Sequence, residues 1–206
     1  GKSAAIIYPD ADIDKAVDST IKGIFKPNAG QICVAMSRVI IHPKVKDEYM
    51  TKLIKKTKKL KIGSGDSKDT EVTPLISNEQ LKRVSNYCKS GIQSGANLVL
   101  GGEKQEYDKG NYFTPTIFDN VDTSSTIAQE EIFGPVASIF NFETEDEAIR
   151  IANSTDYGLA SGVFTSDDQK AKWTAERIEA GVIWHNDWFV DDVNLPGGGY
   201  KKSGYG

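Results

Sequence analysis

The chain is poor in the residues that build metal sites and disulfide frameworks. Among 206 residues there are two cysteines, Cys33 and Cys88, and two histidines, His42 and His185. Two cysteines cannot form a disulfide framework, and neither stands at zinc-ligand spacing from a partner, so no metal is expected. Long apolar runs are absent too. The longest, such as Ala4 to Tyr8, fall far short of the roughly 20 residues a membrane-spanning helix needs. Basic charge is not in excess: 25 Lys and Arg against 29 Asp and Glu give a net charge of -4, which argues against nucleic-acid binding through a basic face. After Gly1-Lys2-Ser3 there is neither an apolar signal region nor a cleavage site, and a reducing cytoplasm is the expected compartment. No repeat, low-complexity tract or Pro/Gly/Ser-rich linker divides the chain. What remains is 38% hydrophobic and 26% charged, the balance of a folded domain with a real core.

Helical and strand patterns alternate, which argues for an α/β fold with a largely parallel sheet. Ala4 to Tyr8 reads as a strand. A helix follows Asp10 and Asp12 to about Phe25, with Ile13, Val17 and Ile21 on one face. Ser37 to His42 reads as a buried strand stopped by Pro43. The next helix runs from about Val45 to Leu60. Its lysines at 52, 55, 56, 58, 59 and 61 read as a solvated outer face rather than an anion site. Ser77 or Asn78 caps a third helix to about Gly91, with Leu81, Val84, Cys88 and then Ile92 on its stripe. Leu98 to Leu100, Tyr112 to Ile117, Val136 to Phe142, Gly162 to Thr165 and Val182 to Trp184 read as further strands. Thr144 to Glu147 forms a capping box, and Asp167 caps a last helix ending at Gly181.

Three stretches could carry chemistry. Cys33 lies in Asn28-Ala29-Gly30-Gln31-Ile32-Cys33, a loop punctuated by Pro27 and Gly30. A thiol on such a loop can face a cleft, where backbone amides would lower its pKa and stabilise an oxyanion. The plain alternative is an inert buried cysteine, the reading that suits Cys88 on its apolar stripe. Glu130-Glu131-Ile132-Phe133-Gly134-Pro135 is an elbow entering a strand. A carboxylate there could accept bonds from sugar hydroxyls and Phe133 could face a planar ring; a surface turn with one buried aromatic is the alternative. Pro196-Gly197-Gly198-Gly199-Tyr200-Lys201 lacks phosphate-loop spacing, so close backbone approach is the better reading. Upstream of it, Trp184-His185-Asn186-Asp187-Trp188-Phe189 has the composition of a pocket wall or a core cluster.

At these residues the chain resembles the aldehyde dehydrogenase superfamily along its whole length. Gly1-Lys2-Ser3 is similar to the end of the family's E-L-G-G-K-[SN]-P, and Asp10 to Asp14 to D-A-D-[LI]-D. Gly30-Gln31-Ile32-Cys33 matches G-Q-x-C, and Glu130 to Pro135 matches E-E-I-F-G-P unchanged. Ala152-Asn153 with Tyr157 to Ala160, Ala180 to Asn186, and Tyr200 to Gly204 resemble three further motifs in order. The resemblance implies one three-layer α/β/α domain with a largely parallel sheet, of the family's catalytic-domain type. It implies that Cys33 is the nucleophile, adding to an aldehyde as a thiohemiacetal that passes to a thioester and then to the acid, with the Cys33 amide in the oxyanion hole. It implies that Glu131 holds the nicotinamide-ribose hydroxyls and Phe133 the nicotinamide of NAD or NADP.

Departures from the family pattern carry expectations of their own. The general-base glutamate of E-L-G-G-K would stand just before Gly1, and the cofactor-binding domain and the C-terminal oligomerisation segment have no counterpart in these residues. The chain is therefore expected to be the catalytic domain of a longer, homo-oligomeric enzyme, incompetent alone and binding NAD only weakly. Asn186, Trp188 and Gly197 are the candidate substrate-pocket residues. Gly197 stands where the family carries Phe or Trp, His185 replaces an aliphatic residue, and Trp188 is similar to the aromatic lining of members acting on betaine aldehyde. Two rival readings are a hydrolase pairing Cys33 with His185, and a noncatalytic interaction module.

Overall fold

The computed structural model of the chain describes residues 1–107, 109–190 and 194–206. In chain order the elements are β1 (Ala4–Ile7), α1 (Ile13–Thr20), β2 (Arg38–Ile41), α2 (Pro43–Thr57), α3 (Asn78–Gln93), β3 (Asn97–Leu100), β4 (Lys104–Gln105), β5 (Tyr112–Phe113), β6 (Thr116–Asp119), α4 (Thr126–Gln129), β7 (Val136–Asn141), α5 (Glu145–Ala152), β8 (Tyr157–Gly158), β9 (Ala160–Phe164), α6 (Asp168–Ala175), β10 (Val182–His185) and β11 (Tyr200–Lys201). Seven strands form one sheet in the order β10-β9-β1-β2-β7-β6-β3. All neighbours are parallel except the edge strand β3, which runs antiparallel to β6. The pairs β11-β8 and β4-β5 are small antiparallel ribbons.

Both faces of the sheet are covered, which is why its central strands are apolar on both faces rather than alternating. In β1, Ala4 and Ile6 join one core cluster while Ala5 and Ile7 join the other; Val136 and Phe140 against Ala137 and Ile139 divide β7 in the same way. Helices α1 and α2 cover the second face with Val17, Tyr49 and Leu53. Helices α3 to α6 cover the first with Val84, Cys88, Ile127, Ile151 and Ala171. The result is the expected three-layer α/β/α architecture. No helix among the described residues is long and apolar enough to cross a membrane, and no group of His, Cys, Asp and Glu among them could hold a metal ion.

Several expected boundaries shift for local reasons. Helix α2 starts at Pro43, not Val45: proline suits the first helical position, and His42 caps it by accepting from the Lys44 amide. The strand expected over 112–117 is two strands, β5 pairing with β4 and β6 with β7, on either side of Pro115, which has no amide to donate. Ile92 does not continue the stripe of α3; it is exposed, and the buried position is Gly91, packed under Phe118 and Ile127. Helix α6 ends at Ala175, six residues before Gly181. In the capping box the Glu147 amide donates to Thr144 as expected, but the Glu147 carboxylate accepts from Glu143 rather than from Thr144. The lysine face of α2 is solvated, with Lys52 and Lys56 bridging to Asp14 and Asp18 of α1.

One buried charge ties sheet to helix. Arg38 in β2 is fully buried and donates to the carbonyls of Ile151 (2.6 Å) and Ala152 (3.1 Å) and to the Ser154 hydroxyl (3.0 Å). It thereby satisfies the last turn of α5, where a cation also complements the helix dipole. Two of the sequence motifs prove to be partners. Lys201 Nζ donates to the carbonyls of Asn153 and Thr155, the Lys202 amide to that of Asp156, and Ser203 Oγ accepts from the Gly158 amide. The C-terminal segment is thus clasped onto the loop between α5 and β9.

Candidate active site

The chemistry-bearing loops meet at the amino ends of adjacent parallel strands. Gly1 precedes β1, Cys33 precedes β2, Glu131 and Phe133 precede β7, and Leu159 precedes β9. Helix α1 passes into a π-helical stretch, Ile21–Phe25, and then into the turn Pro27–Gly30. Asn28, Ala29 and Gly30 all take left-handed φ values, of 49°, 51° and 74°. At Gly30 a Cβ would lie 2.4 Å from the Gly134 carbonyl oxygen, so only glycine lets this loop abut the Glu130–Pro135 elbow.

Cys33 then occupies the corner of a turn closed by the Ala35 amide donating to the Ile32 carbonyl at 3.1 Å. Its thiol is exposed. Its carbonyl oxygen faces Gly1, where a Cβ would come within 2.8 Å of it. The next carbonyl, of Val34, accepts from the Trp188 indole at 3.1 Å. Among the described residues the Cys33 amide has no acceptor. A nucleophile beside an unspent backbone donor is the arrangement an acyl-transfer site requires.

The neighbouring elbow is held from α3. Gln80 Nε2 donates to the carbonyls of Ile132 (3.0 Å) and Phe133 (2.7 Å), Arg83 donates to that of Glu131 (3.0 Å), and the Tyr87 hydroxyl donates to the Glu130 carboxylate (2.7 Å). Sequence reasoning missed this clamp. Polar residues on the outer side of an amphipathic helix look solvated, and no local signal separates these from the rest. The clamp holds the elbow on which Phe133 takes a left-handed conformation (φ 58°) and is 37% exposed. Phe133 walls a groove of about 340 Å³ with Asn28, Gln31, Thr73, Pro74 and Ile76. Gln31 ties that groove together, donating to the Asn28 carbonyl and accepting from the Ile76 amide. A carboxylate and a partly exposed aromatic residue on one elbow are groups that could hold the ribose and ring of a nicotinamide.

Burial tunes two nearby groups in opposite senses. Lys2, next to Gly1, is 3% exposed, and its Nζ has no hydrogen-bond partner among the described residues. Burial first, and then repulsion from Arg38, lowers its pKa to about 7, against the opposing pull of Glu131 and Glu130. Cys88 sits in the core between α3 and the sheet, and burial pushes its thiol up to about 12.

The remaining candidates lie apart from Cys33 or face inward. His185 is level with Val163 and Ile6 across the sheet, while Cys33 is level with Gly1. At about 3.3 Å per residue the two are separated by roughly 16 Å along the strands. His185 Nε2 is instead 3.0 Å from the Thr165 carbonyl oxygen. The hydrolase dyad is therefore ruled out by topology. Asn186, expected in the substrate pocket, turns both side-chain atoms to the backbone of Thr165, accepting at 3.1 Å and donating at 2.8 Å; it joins the ends of β9 and β10. Trp188, expected there too, is 2% exposed, its ring against Gly23. Gly197 is exposed with open space around the position a Cβ would take.

Comparison with known proteins agrees with this geometry. The profile of the aldehyde dehydrogenase family matches residues 1–206. The betaine aldehyde dehydrogenase of Bacillus subtilis is 40% identical over 209 residues, covering all of this chain and 42% of its own length. A crystal structure of an NAD-dependent aldehyde dehydrogenase from Sinorhizobium meliloti superposes with a TM-score of 0.97 at 40% identity, covering all of this chain and 41% of that one. The betaine aldehyde dehydrogenase of Staphylococcus aureus in complex with NAD+ superposes with a TM-score of 0.96 at 42% identity, again over all of this chain and 41% of the other. The chain thus spans well under half the length of these relatives. With its profile matched from end to end and its fold superposed at this level, the chain belongs to the aldehyde dehydrogenase family.

Proposed function

We propose that these 206 residues form the catalytic domain of a longer enzyme that oxidises an aldehyde to a carboxylic acid with NAD, and that Cys33 is its nucleophile. The observation that carries this reading is the exposed Cys33 thiol on a turn whose own amide is unspent, beside the Glu131–Phe133 elbow. Cys33 Sγ attacks the aldehyde carbon. A C–S bond forms, the carbonyl π pair moves to oxygen, and the Cys33 amide faces that oxygen. A bound nicotinamide supplies the hydride acceptor that this chain's own side chains lack. Glu131 would hold its ribose hydroxyls and Phe133 its ring, keeping the transfer distance fixed. Cys33 then carries the acyl group as a thioester, from which water releases the acid and restores the thiol.

NAD rather than NADP follows the relatives described as NAD-dependent or bound to NAD+. The similarity to betaine aldehyde dehydrogenases supports a small cationic aldehyde. Trp188 is not assigned as its cation contact, because its ring is buried. The test is NADH production by the longer protein. Cys33→Ala is expected to abolish it while leaving NAD binding nearly intact, and retained turnover would overturn the mechanism.

A further inference from the structure

We propose that Trp188 is a positioning residue for the nucleophile: its indole N–H, bonded to the Val34 carbonyl, fixes the Cys33–Val34 turn so that the Cys33 amide faces the oxygen of an acyl group on Sγ. The proposal rests on Cys33 being the nucleophile. Three observations build it.

The turn that carries Cys33 has a single closing hydrogen bond, from Ala35 to Ile32, and its corner peptides would otherwise be free to rotate. Among the described residues the Val34 carbonyl is the one corner group hydrogen-bonded from outside, by Trp188 at 3.1 Å, across 154 residues of chain. The indole itself is a rigid anchor. Trp188 is 2% exposed, lies among the buried residues of the α1/α2 face, and stacks at 5.2 Å from the Phe189 ring and 6.4 Å from that of Trp184. Its seat is cut for it: at Gly23 a Cβ would stand 3.2–3.3 Å from three atoms of the indole. Gly23 lies in the π-helical stretch that leads into the Cys33 loop, so the ring grips that loop at its root and just beyond its reactive corner. A side chain with only two rotatable bonds, buried on a packed face, holds a carbonyl at little entropic cost.

The role separates two reactions of the same thiol. Acylation by p-nitrophenyl acetate passes through a tetrahedral oxyanion: the thiolate attacks the ester carbon, the C–S bond forms, and the C–O bond breaks to release p-nitrophenolate. Alkylation by iodoacetamide displaces iodide at a saturated carbon and needs no oxyanion donor. Both rates are measured on the longer protein, with Cys33→Ala as the blank. In Trp188→Phe, which keeps a buried ring and deletes the donor, acylation is expected to fall about fivefold, the factor one lost hydrogen bond is worth. Alkylation of Cys33 is expected to stay as it is. Gly23→Ala, which displaces the ring and keeps the donor, is expected to give the same selective loss, and it decides the matter if Trp188→Phe does not fold. Unchanged acylation in both variants would overturn the proposal. So would equal falls in acylation and alkylation, the mark of a loop that has simply come apart. If the longer protein without substitutions shows no acylation above its Cys33→Ala blank, the nucleophile assignment itself falls.

Discussion

The two cysteines differ in everything but their element. Cys33 stands at the outer corner of a turn, while Cys88 is 2% exposed with its thiol pushed up to about 12. Near neutral pH iodoacetamide should therefore label Cys33 and spare Cys88 until the chain unfolds; mass-mapped labelling with equal rates at the two sites would remove Cys33 as a reactive thiol. Lys2 gives a pH signature of its own. Its pKa is near 10.5 in the unfolded chain and about 7 in the folded one, so between those values the unfolded state binds more protons and stability rises with pH. The contribution is complete above about pH 10.5 and is lost as pH falls toward 7. Lys2→Met should accordingly raise the unfolding free energy from urea titration most near pH 6, by an amount on the order of 4 kcal/mol, and progressively less toward pH 10. A gap that does not change with pH would contradict the buried-amine account. In the sequence, Cys33 stood out as a candidate nucleophile through the likeness of Gly30-Gln31-Ile32-Cys33 to G-Q-x-C, while its loop alone left an inert cysteine open. Nothing local marked Lys2 as buried, since neighbours such as Ala152, Gly158 and Ile178 come from far along the chain.

Elements with a period long enough to read were legible in advance, and those without one were not. The central strands announce themselves because short runs rich in small, branched and aromatic apolar residues suit a sheet covered on both faces. Two-residue ribbons such as Lys104–Gln105 and Tyr200–Lys201 have no period to detect. Boundaries failed where one residue had two plausible duties: Pro43 ends a strand and equally begins a helix, and Ile92 extends an apolar stripe on paper but is turned out to solvent in favour of Gly91. The α5 terminus offers a direct test at this scale. Arg38→Met removes three donated hydrogen bonds from a fully buried site and leaves the carbonyls of Ile151 and Ala152 without that partner. The expected loss is about 3 kcal/mol of unfolding free energy by urea titration, well beyond that of a surface substitution. A cost near zero would mean that water or backbone rearrangement replaces the guanidinium.

As a whole molecule the chain, on the proposed reading, holds one end of a cofactor site. Glu131 and Phe133 are the proposed contacts of the nicotinamide end, within a chain that spans 41–42% of its relatives' length. Calorimetry of the 206-residue chain should show no NAD binding tighter than about millimolar, roughly 4 kcal/mol, and micromolar binding would mean that a complete site is already present. The topology also reverses a common rule, since ligands of open α/β sheets usually sit at the carboxyl ends of the strands. Here Gly1, Cys33, Glu131 and Leu159 converge at the amino ends of β1, β2, β7 and β9, whose registers are locked rung to rung as Ala4 to Arg38, Arg38 to Ser138 and Ala4 to Ser161. The sheet is therefore a gauge block for the site. A slip of one rung in any of these strands would carry its loop about 3.3 Å, more than the reach of a hydrogen bond, and turn its core residues outward. Length variation should consequently be tolerated at the β4–β5 ribbon, outside the seven-stranded sheet, where Gly110 is exposed, and rejected between Ser37 and Arg38, where a single inserted residue would take the proposed nucleophile out of calibration.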